Sequence, residues 1–524
     1  MKNKIVRLIA LMLALVFCML ALAACKDDEE GGDGPQGVTG KGEAAFDGVS
    51  FEGKTVKICH SKSSEASRGG TDSSKYITAP DSEINDAIVR KAKERNDYVN
   101  GRLKINLVYS YIDDMWDTCN DIVKNLYDAN DEYTPDVVIA RMSSMFQLQL
   151  EGIFRNLNTE QFTNYFDFSA ENGWYTEAMT GYAFGQDVAN GGKVYLMLGD
   201  VFLDSIRSAA PLYVNEELLV SKGFFTDVSE FYDLISEGTW IWDELIGLSA
   251  QAYQNAAGSA IGKDELDDIG LLAMANGGKN MAAGTSMAFV YGSVDMELMT
   301  FENGQYKFNE ANINGIFANY ATKLKEGLFD TNAGYLQIID DESHNTLRQT
   351  FARGRTLFCA GLHLFDLEGA ALSAMKICPI PYPKMFDSDR YVVRSADGAN
   401  IGAVLKNSKS FTPASAYFQY MCIKSEPVRT TYYDQGLGLK YETGTNTKQM
   451  LDLIYNNLNV TPIQQLDQRV DIVVDSGTSQ DLYSIFAGVI TGNQAVSSSW
   501  AMIREQKVNG LSDLCKKYAN LPAE

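Results

Sequence analysis

Aromatic side chains are concentrated between residues 162 and 184: Phe162, Tyr165, Phe166, Phe168, Trp174, Tyr175, Tyr182 and Phe184. Such rings either stack on the apolar C–H face of a sugar, while polar neighbours take its hydroxyls, or pack beneath a long loop. A second pair, Trp240 and Trp242, stands at the start of a pattern in which Trp242, Leu245, Ile246, Ser249 and Ala250 share one helical face. Asp243 and Glu244 fall in its first turn, where the helix dipole favours negative charge. Each tryptophan can be a stacking face or a core anchor. The three histidines (60, 344 and 363) are widely separated, so neither a metal site nor a cofactor is expected. The chain has no G-x-S-x-G, H-E-x-x-H, Walker A lysine loop or G-x-G-x-x-G. A glycosidase needs only two carboxylates, and with 68 acidic residues that reading stays open.

The elements that must position these residues begin with an alternation. Thr55–Cys59 reads as a strand, and Ile84, Ala87, Ile88 and Ala92 follow at helical spacing. Leu103–Val108 is a second strand, and a second helix spans Met115 to Leu126. Thr134-Pro135-Asp136 then opens a buried strand, Val137–Ala140. This β-α-β-α-β order calls for a mostly parallel sheet with right-handed crossovers. Ligands of such sheets lie beyond the carboxyl ends of the strands. Attention therefore falls on His60–Ser64, with Ser61, after the first strand, and on a loop Arg141–Ser144 after the third. Further on, Gly284–Gly292 reads as a segment near a cleft. Ile313, Ile316, Phe317, Tyr320 and Leu324 form an amphipathic helix expected to end at Gly327, and Thr412-Pro413 reads as the cap and first residue of another.

Residues 1–24 have the form of a signal peptide: Lys2, Lys4 and Arg7, then an apolar run from Leu8 to Leu22. The run ends in Leu22-Ala23-Ala24-Cys25, which resembles the lipobox of bacterial lipoproteins and implies a diacylated Cys25. Two acyl chains suffice for stable anchoring. Asp27–Pro35 has no apolar residue to bury, and residues 25–48 read as a flexible, solvated tether. The formal net charge is −23, which argues against nucleic-acid and acidic-membrane partners. Six further cysteines (59, 119, 359, 378, 422 and 515) show no C-x-x-C and no zinc spacing, and pairing of Cys359 with Cys378 is left open.

The chain around these elements resembles a known family. Leu212, Tyr213, Asn215, Leu218, Gly223 and Phe224 form L-Y-x-N-x-x-L followed by G-F, and Trp240, Trp242, Asp243, Glu244 and Leu245 form W-x-W-D-E-L. In order, these resemble the extracellular solute-binding proteins (family 1, carbohydrate type) of bacterial ABC importers, at the place where the chain passes from one lobe to the other. The usual Thr between the aromatics is Ile241. Pro135-Asp136-Val137-Val138, Glu151–Asn158, Phe351–Gly361, Pro381-Tyr382-Pro383-Lys384 and Ser395–Val404 also resemble family segments, so the likeness covers about 50 to 524.

The resemblance implies a two-lobed, periplasmic-binding-protein-like α/β fold, each lobe a mostly parallel sheet flanked by helices, joined by a multi-strand hinge. One lobe is expected from 49–205 with 378–430, the other from 206–377 with 431–524. It implies capture of a small solute, foremost a mono- or oligosaccharide, for an ABC permease, at the outer face of the cell membrane, by a monomer without a cofactor. The alternatives are a membrane-anchored glycan-active enzyme and a ligand-binding subunit feeding a sensor kinase. By the family pattern Trp174 and Tyr175 face the ligand, and His363 and Phe365 take places where many members carry tryptophan. Trp240 and Trp242 add stacking candidates, and Ser61, Arg141, Asp397 and His363 would orient hydroxyls. For His363 a packed, satisfied ring is the competing reading.

Overall fold

The computed structural model describes residues 42–63, 71–114, 117–256, 266–275, 290–292, 294–330, 333–340, 345–387, 389–437, 445–469, 481–492 and 494–523. Cys25, the expected signal, most of the tether, Ser64, Met115, residues 284–289 and His344 lie outside the described residues. In chain order the strands are β1 (Thr55–Ser61), β2 (Asn106–Ile112), β3 (Val137–Arg141), β4 (Leu212–Asn215) and β5 (Ile269–Ala275). They continue as β6 (Met299–Glu302), β7 (Gln305–Phe308), β8 (Leu336–Asp340), β9 (Thr356–Cys359) and β10 (Ile377–Ile380). The last are β11 (Val393–Arg394), β12 (Asn400–Val404) and β13 (Leu458–Asn459).

The first sheet has the order β12-β3-β1-β2, with β1 parallel to both β2 and β3 and with β12 antiparallel to β3. Its centre reads as it does because Val56, Ile58, Val137, Val138, Ile139 and Ala140 are apolar, mostly β-branched and wholly buried. Each large side chain of this kind contributes roughly 1.5–3 kcal/mol by leaving water. The helix Ala87–Leu103 packs on the helices Phe411–Ile423 and Glu426–Thr431 and buries Ile88, Val89, Ala92, Val99 and Leu103. It starts where Asp86 accepts from the Ile88 and Val89 N–H groups at 2.8 and 3.3 Å, and stops at Lys104 in the left-handed region.

The second sheet has the order β10-β4-β9-β5-β8. Here β5 is parallel to β8 and β9, while β4 is antiparallel to β9 and β10. The mixture has a topological cause. Strand β4 starts from the connection to the first sheet and β10 runs back towards it, so the two must point in opposite directions. The first sheet shows the same effect in β12, which begins at that connection.

Three segments lie side by side between the sheets. Ala210 N–H donates to the Arg394 carbonyl at 2.8 Å and Ala396 N–H to Ser208 at 2.9 Å. Strand β11 pairs in parallel with β13, and Ser395 N–H donates to Asn459 at 3.1 Å. One segment leads into β4, one leads from β10 to β12, and one follows the helix Thr445–Asn456, which packs on β10. This is the expected multi-strand hinge.

Local readings changed in three places. Arg141–Ser144 is not a loop: the helix Met142–Leu150 starts directly after β3, and Ser143 and Ser144 are buried in its first turn. The helix Ala318–Phe329 runs through Gly327, beside which the Tyr335 ring occupies the space a side chain would need. The later helix, Phe411–Ile423, has Ser410 at its cap position rather than Thr412, so Thr412 and Pro413 lie inside its first turn. All six body cysteines are free thiols in buried positions, so Cys359 and Cys378 are unpaired. Among the described residues no helix is long and apolar enough to cross a membrane. The C-terminal helix Val496–Ala519 sets Trp500 against Phe308 at 5.1 Å and, near its other end, stacks Tyr518 on Phe184 at 4.5 Å.

Candidate functional site

The carboxyl edge of the first sheet gathers Ser61, Arg141 and Asp397. The Arg141 guanidinium donates to Asp397 Oδ2 at 2.8 Å, and Arg394 stands 4.0 Å from Oδ1. Ser61 is fully buried, and its carbonyl accepts from Asn400 Nδ2 at 3.4 Å. His60 Nδ1 lies 2.6 Å from the same carbonyl, which places the ring proton on Nδ1. Burial holds the His60 pKa below its ordinary value, so the ring is neutral at pH 7. Burial likewise lowers that of Arg394, with Asp397 opposing. The cluster exists because β3 ends, and β12 begins, at one edge of one sheet.

Beside this cluster opens a cavity of about 600 Å³. One wall is Trp174, Tyr175 and the helix Thr176–Tyr182, and a second is the β6–β7 hairpin. The third comes from the hinge, with Arg390, Val392 and the run Tyr455–Ile463. Tyr182 joins cluster and cavity: its hydroxyl lies 3.0 Å from Gln465 Oε1, 3.2 Å from the Thr461 carbonyl and 2.7 Å from Met142 Sδ.

Two of the lining tyrosines, Tyr175 and Tyr455, hold a buried carboxylate behind the cavity wall. Tyr175 donates to Asp200 Oδ1 at 2.9 Å, and the Tyr455 hydroxyl is 3.0 Å from both Asp200 oxygens. Arg429 Nε stands 3.6 Å from Oδ2, with its guanidinium 3.7 Å from the Tyr455 ring centroid. Burial pushes the Asp200 pKa up, and Arg429 with the two hydroxyls opposes that shift. At the rim, Arg390 donates to Glu177 Oε1 at 2.8 Å; both side chains are exposed, so the pair is worth little in stability. Amides, hydroxyls and flat rings on one wall set suit a solute with both hydroxyls and an apolar face.

The sequence candidates separate by place. Tyr175 lines the cavity. Trp174 borders it but is 2% exposed, donates its indole N–H to Gln419 Oε1 at 2.7 Å, and packs edge-on to Phe166 and Phe168. Trp240 is 0% exposed, against Phe231 and Phe358, with its N–H on the Pro381 carbonyl at 3.2 Å. Trp242 packs 4.0 Å from Tyr320. His363 caps the short turn Leu364–Glu368, where its backbone N–H donates to Asp366 at 2.8 Å, and its ring stacks on Phe365 at 4.8 Å. None of these last four borders the cavity.

Arg390, Tyr455, Asn459, Phe301 and Tyr306 do border it and were not foreseen. The only local signal was the amide-rich run Asn456-Asn457-Leu458-Asn459. The others arrive through tertiary contact alone.

No protein-family model matches the chain. No curated protein matches it either. Similar solved structures include a cyclo/maltodextrin-binding protein complexed with maltotetraose, at 12% identity over 90% of this chain and 99% of that chain, TM-score 0.49. A family 1 extracellular solute-binding protein from Bifidobacterium longum subsp. infantis is 14% identical over 90% of this chain and 100% of that chain, TM-score 0.48. The galacto-N-biose-/lacto-N-biose I-binding protein of a Bifidobacterium longum ABC transporter, in complex with lacto-N-biose, is 16% identical over 88% and 98%, TM-score 0.48.

Proposed function

We propose that this chain is a lipid-anchored extracellular solute-binding protein that captures a saccharide between its two lobes and delivers it to an ABC permease. The observation that carries the reading is the cavity of about 600 Å³ between the Thr176–Tyr182 helix, the β6–β7 hairpin and the hinge strand. Its size falls within the range of about 300–1,000 Å³ usual for small-molecule sites. Its walls come from parts of the chain attached to different sheets, which three side-by-side segments connect. Few backbone torsions there need change for the halves to move as bodies.

Capture then runs from residues to function in four steps. The Tyr175 ring is fixed by its Asp200 bond and offers a face for the apolar side of a sugar ring. Asn457, Asn459 and the Arg390–Glu177 pair offer partners for hydroxyls. Closure about the hinge removes water and strengthens those bonds. Release needs only the reverse, which suits delivery to a permease rather than turnover. Cys25 anchors the body through its acyl chains at the outer membrane face.

A thermal-shift and calorimetry screen of residues 26–524 against neutral mono- and oligosaccharides tests the proposal. A bound sugar at 100 times its dissociation constant adds about 2.7 kcal/mol of stability, and no product forms. Absence of any shift across the panel overturns the saccharide reading. Conversion of a bound oligosaccharide to shorter products replaces it with the glycan-active enzyme. Mass spectrometry of the membrane fraction checks the anchor: Cys25→Ala abolishes the lipid adduct.

A further inference from the structure

The β6–β7 hairpin belongs to one half of the molecule by its root and to the other by its rings. At the root, Asn309 N–H donates to the Leu298 carbonyl at 2.9 Å, and the chain continues into the helix Ala318–Phe329, which packs on β8 of the second sheet. Near its tip, Tyr306 is held on three sides. Its hydroxyl donates to the Gly181 carbonyl at 2.8 Å, its backbone N–H points to Cys515 Sγ at 3.4 Å, and its ring meets Phe184 edge-on at 5.8 Å. The Phe301 ring covers Gly185, which has φ +74°, and any side chain at that position would collide with the ring. The hairpin is therefore fastened to the segment that carries Tyr175 and the Thr176–Tyr182 helix.

Phe301 and Tyr306 both border the cavity. Tyr306 is locked; Phe301, edge-on to it at 5.0 Å, remains 38% exposed. A phenyl ring fixed against a neighbour on one side and open on the other is a stacking face already placed, with little side-chain freedom left to lose. The charges bordering the cavity are Glu177, Asp295 and Arg390, a net negative set that repels an anionic solute.

From this geometry, and resting on the solute-binding reading above, we propose that the hairpin determines which solute fits. Phe301 stacks on one unit of an uncharged saccharide, and Tyr306 is the positioning residue that holds Phe301 in place. The Gly181 and Gly185 contacts fix where this wall stands and so how long a saccharide the cavity admits.

The test compares the full chain with its Phe301→Ala, Phe301→Trp and Tyr306→Phe variants by calorimetry. The probes are a length series of neutral saccharides and an acidic analogue carrying a uronate. Phe301→Ala binds about tenfold more weakly, the scale of one lost aromatic contact, when measured well below the lowered melting temperature that loss of its packing on Gly185 and Tyr306 brings. Phe301→Trp restores binding, and Tyr306→Phe, which keeps the ring but frees it from Gly181, widens the range of lengths accepted. In the unaltered chain the best neutral probe slows amide exchange across residues 299–308. Equal affinities for all probes in the full chain and Phe301→Ala overturn the inference while leaving the solute-binding reading in place, as does exchange at 299–308 that the probe leaves untouched. Equal binding of the uronate analogue overturns the preference for uncharged ligands. A full chain that binds no saccharide removes the underlying reading, and the inference with it.

Discussion

Two aromatic pairs, Trp174-Tyr175 and Trp240-x-Trp242, were equal candidates by residue type and came to opposite ends. Trp240 and Trp242 are both in the core. Between them Ile241 is extended, at φ −117° and ψ 168°, so residues on either side of it point the same way. One is buried against Phe231 and Phe358, the other continues the buried face of Leu245 and Leu248. Trp174 and Tyr175 are adjacent, where an isolated bridge from Trp174 to Gly199 gives way to the helix Thr176–Tyr182. Trp174 turns inward to Phe168 and Gln419, and Tyr175 is left at the cavity. Packing partners, rather than aromatic content, decide which ring is closed into the core and which lines the cavity.

The sharpest way to break that comparison is Trp240→Ala. Removing a fully buried indole costs roughly 3–5 kcal/mol of stability, through lost transfer energy and the cavity left behind. Denaturant unfolding should show that loss, while calorimetry finds saccharide affinity unchanged within a factor of about two. Weaker binding at unaltered stability would move Trp240 to the solute and erase the contrast with Tyr175.

The same contrast governs what could be read without coordinates. Ser61, Arg141 and Asp397 converge because strand polarity is local information: apolar runs locate the strands, and their ends follow. The hinge was legible through Leu212-Tyr213-Val214-Asn215 and Pro381–Lys384, which carry their own turn and strand signals. Tyr455 was not, because its role depends on meeting Asp200 across 255 positions of sequence, and nothing in Ile454-Tyr455-Asn456 marks it. Phe301 was hidden for a related reason. Its neighbour Gly185 shows a glycine in sequence, but not the ring that fills the space beside it.

A buried carboxylate offers a second, smaller lever. Asp467 is fully buried with Lys507 at 3.3 Å, accepts from Tyr291 at 2.8 Å and from Leu482 N–H at 2.7 Å, and does not line the cavity. Burial pushes its pKa up to about 6 from 3.8, against the opposing pull of Lys507. A raised carboxyl pKa means that the native state binds its proton more tightly than the unfolded chain does. Its stabilising contribution is therefore complete below pH 3.8 and is lost as pH rises to about 6. That shift corresponds to about 3 kcal/mol. Unfolding curves of the chain and Asp467→Asn between pH 3.5 and 7 should differ by an amount that changes across this window and is flat above it. Saturating saccharide should leave the difference as it is; a ligand-dependent difference would place Asp467 among the solute's contacts and blur the division between core and cavity.

Tyr175→Phe is the mildest change and isolates the cavity member of the comparison. The ring stays, and only the hydroxyl that donates to Asp200 at 2.9 Å goes. Asp200 keeps Tyr455 and the guanidinium of Arg429, so the carboxylate is not stranded and the stability cost stays at about 1 kcal/mol. Without the bond, however, the ring is free to turn about its first side-chain torsion, and a stacking surface that must be ordered on binding loses affinity. We expect about three- to fivefold weaker saccharide binding, with the loss in dissociation rather than association, because a local contact changes and the long-range field does not. Tyr175→Ala should add the loss of the ring face to that. If both variants bind as the parent does, Tyr175 only props up Asp200. The two aromatic pairs would then be alike after all, both structural, and the stacking surface of this cavity would fall to the hairpin alone.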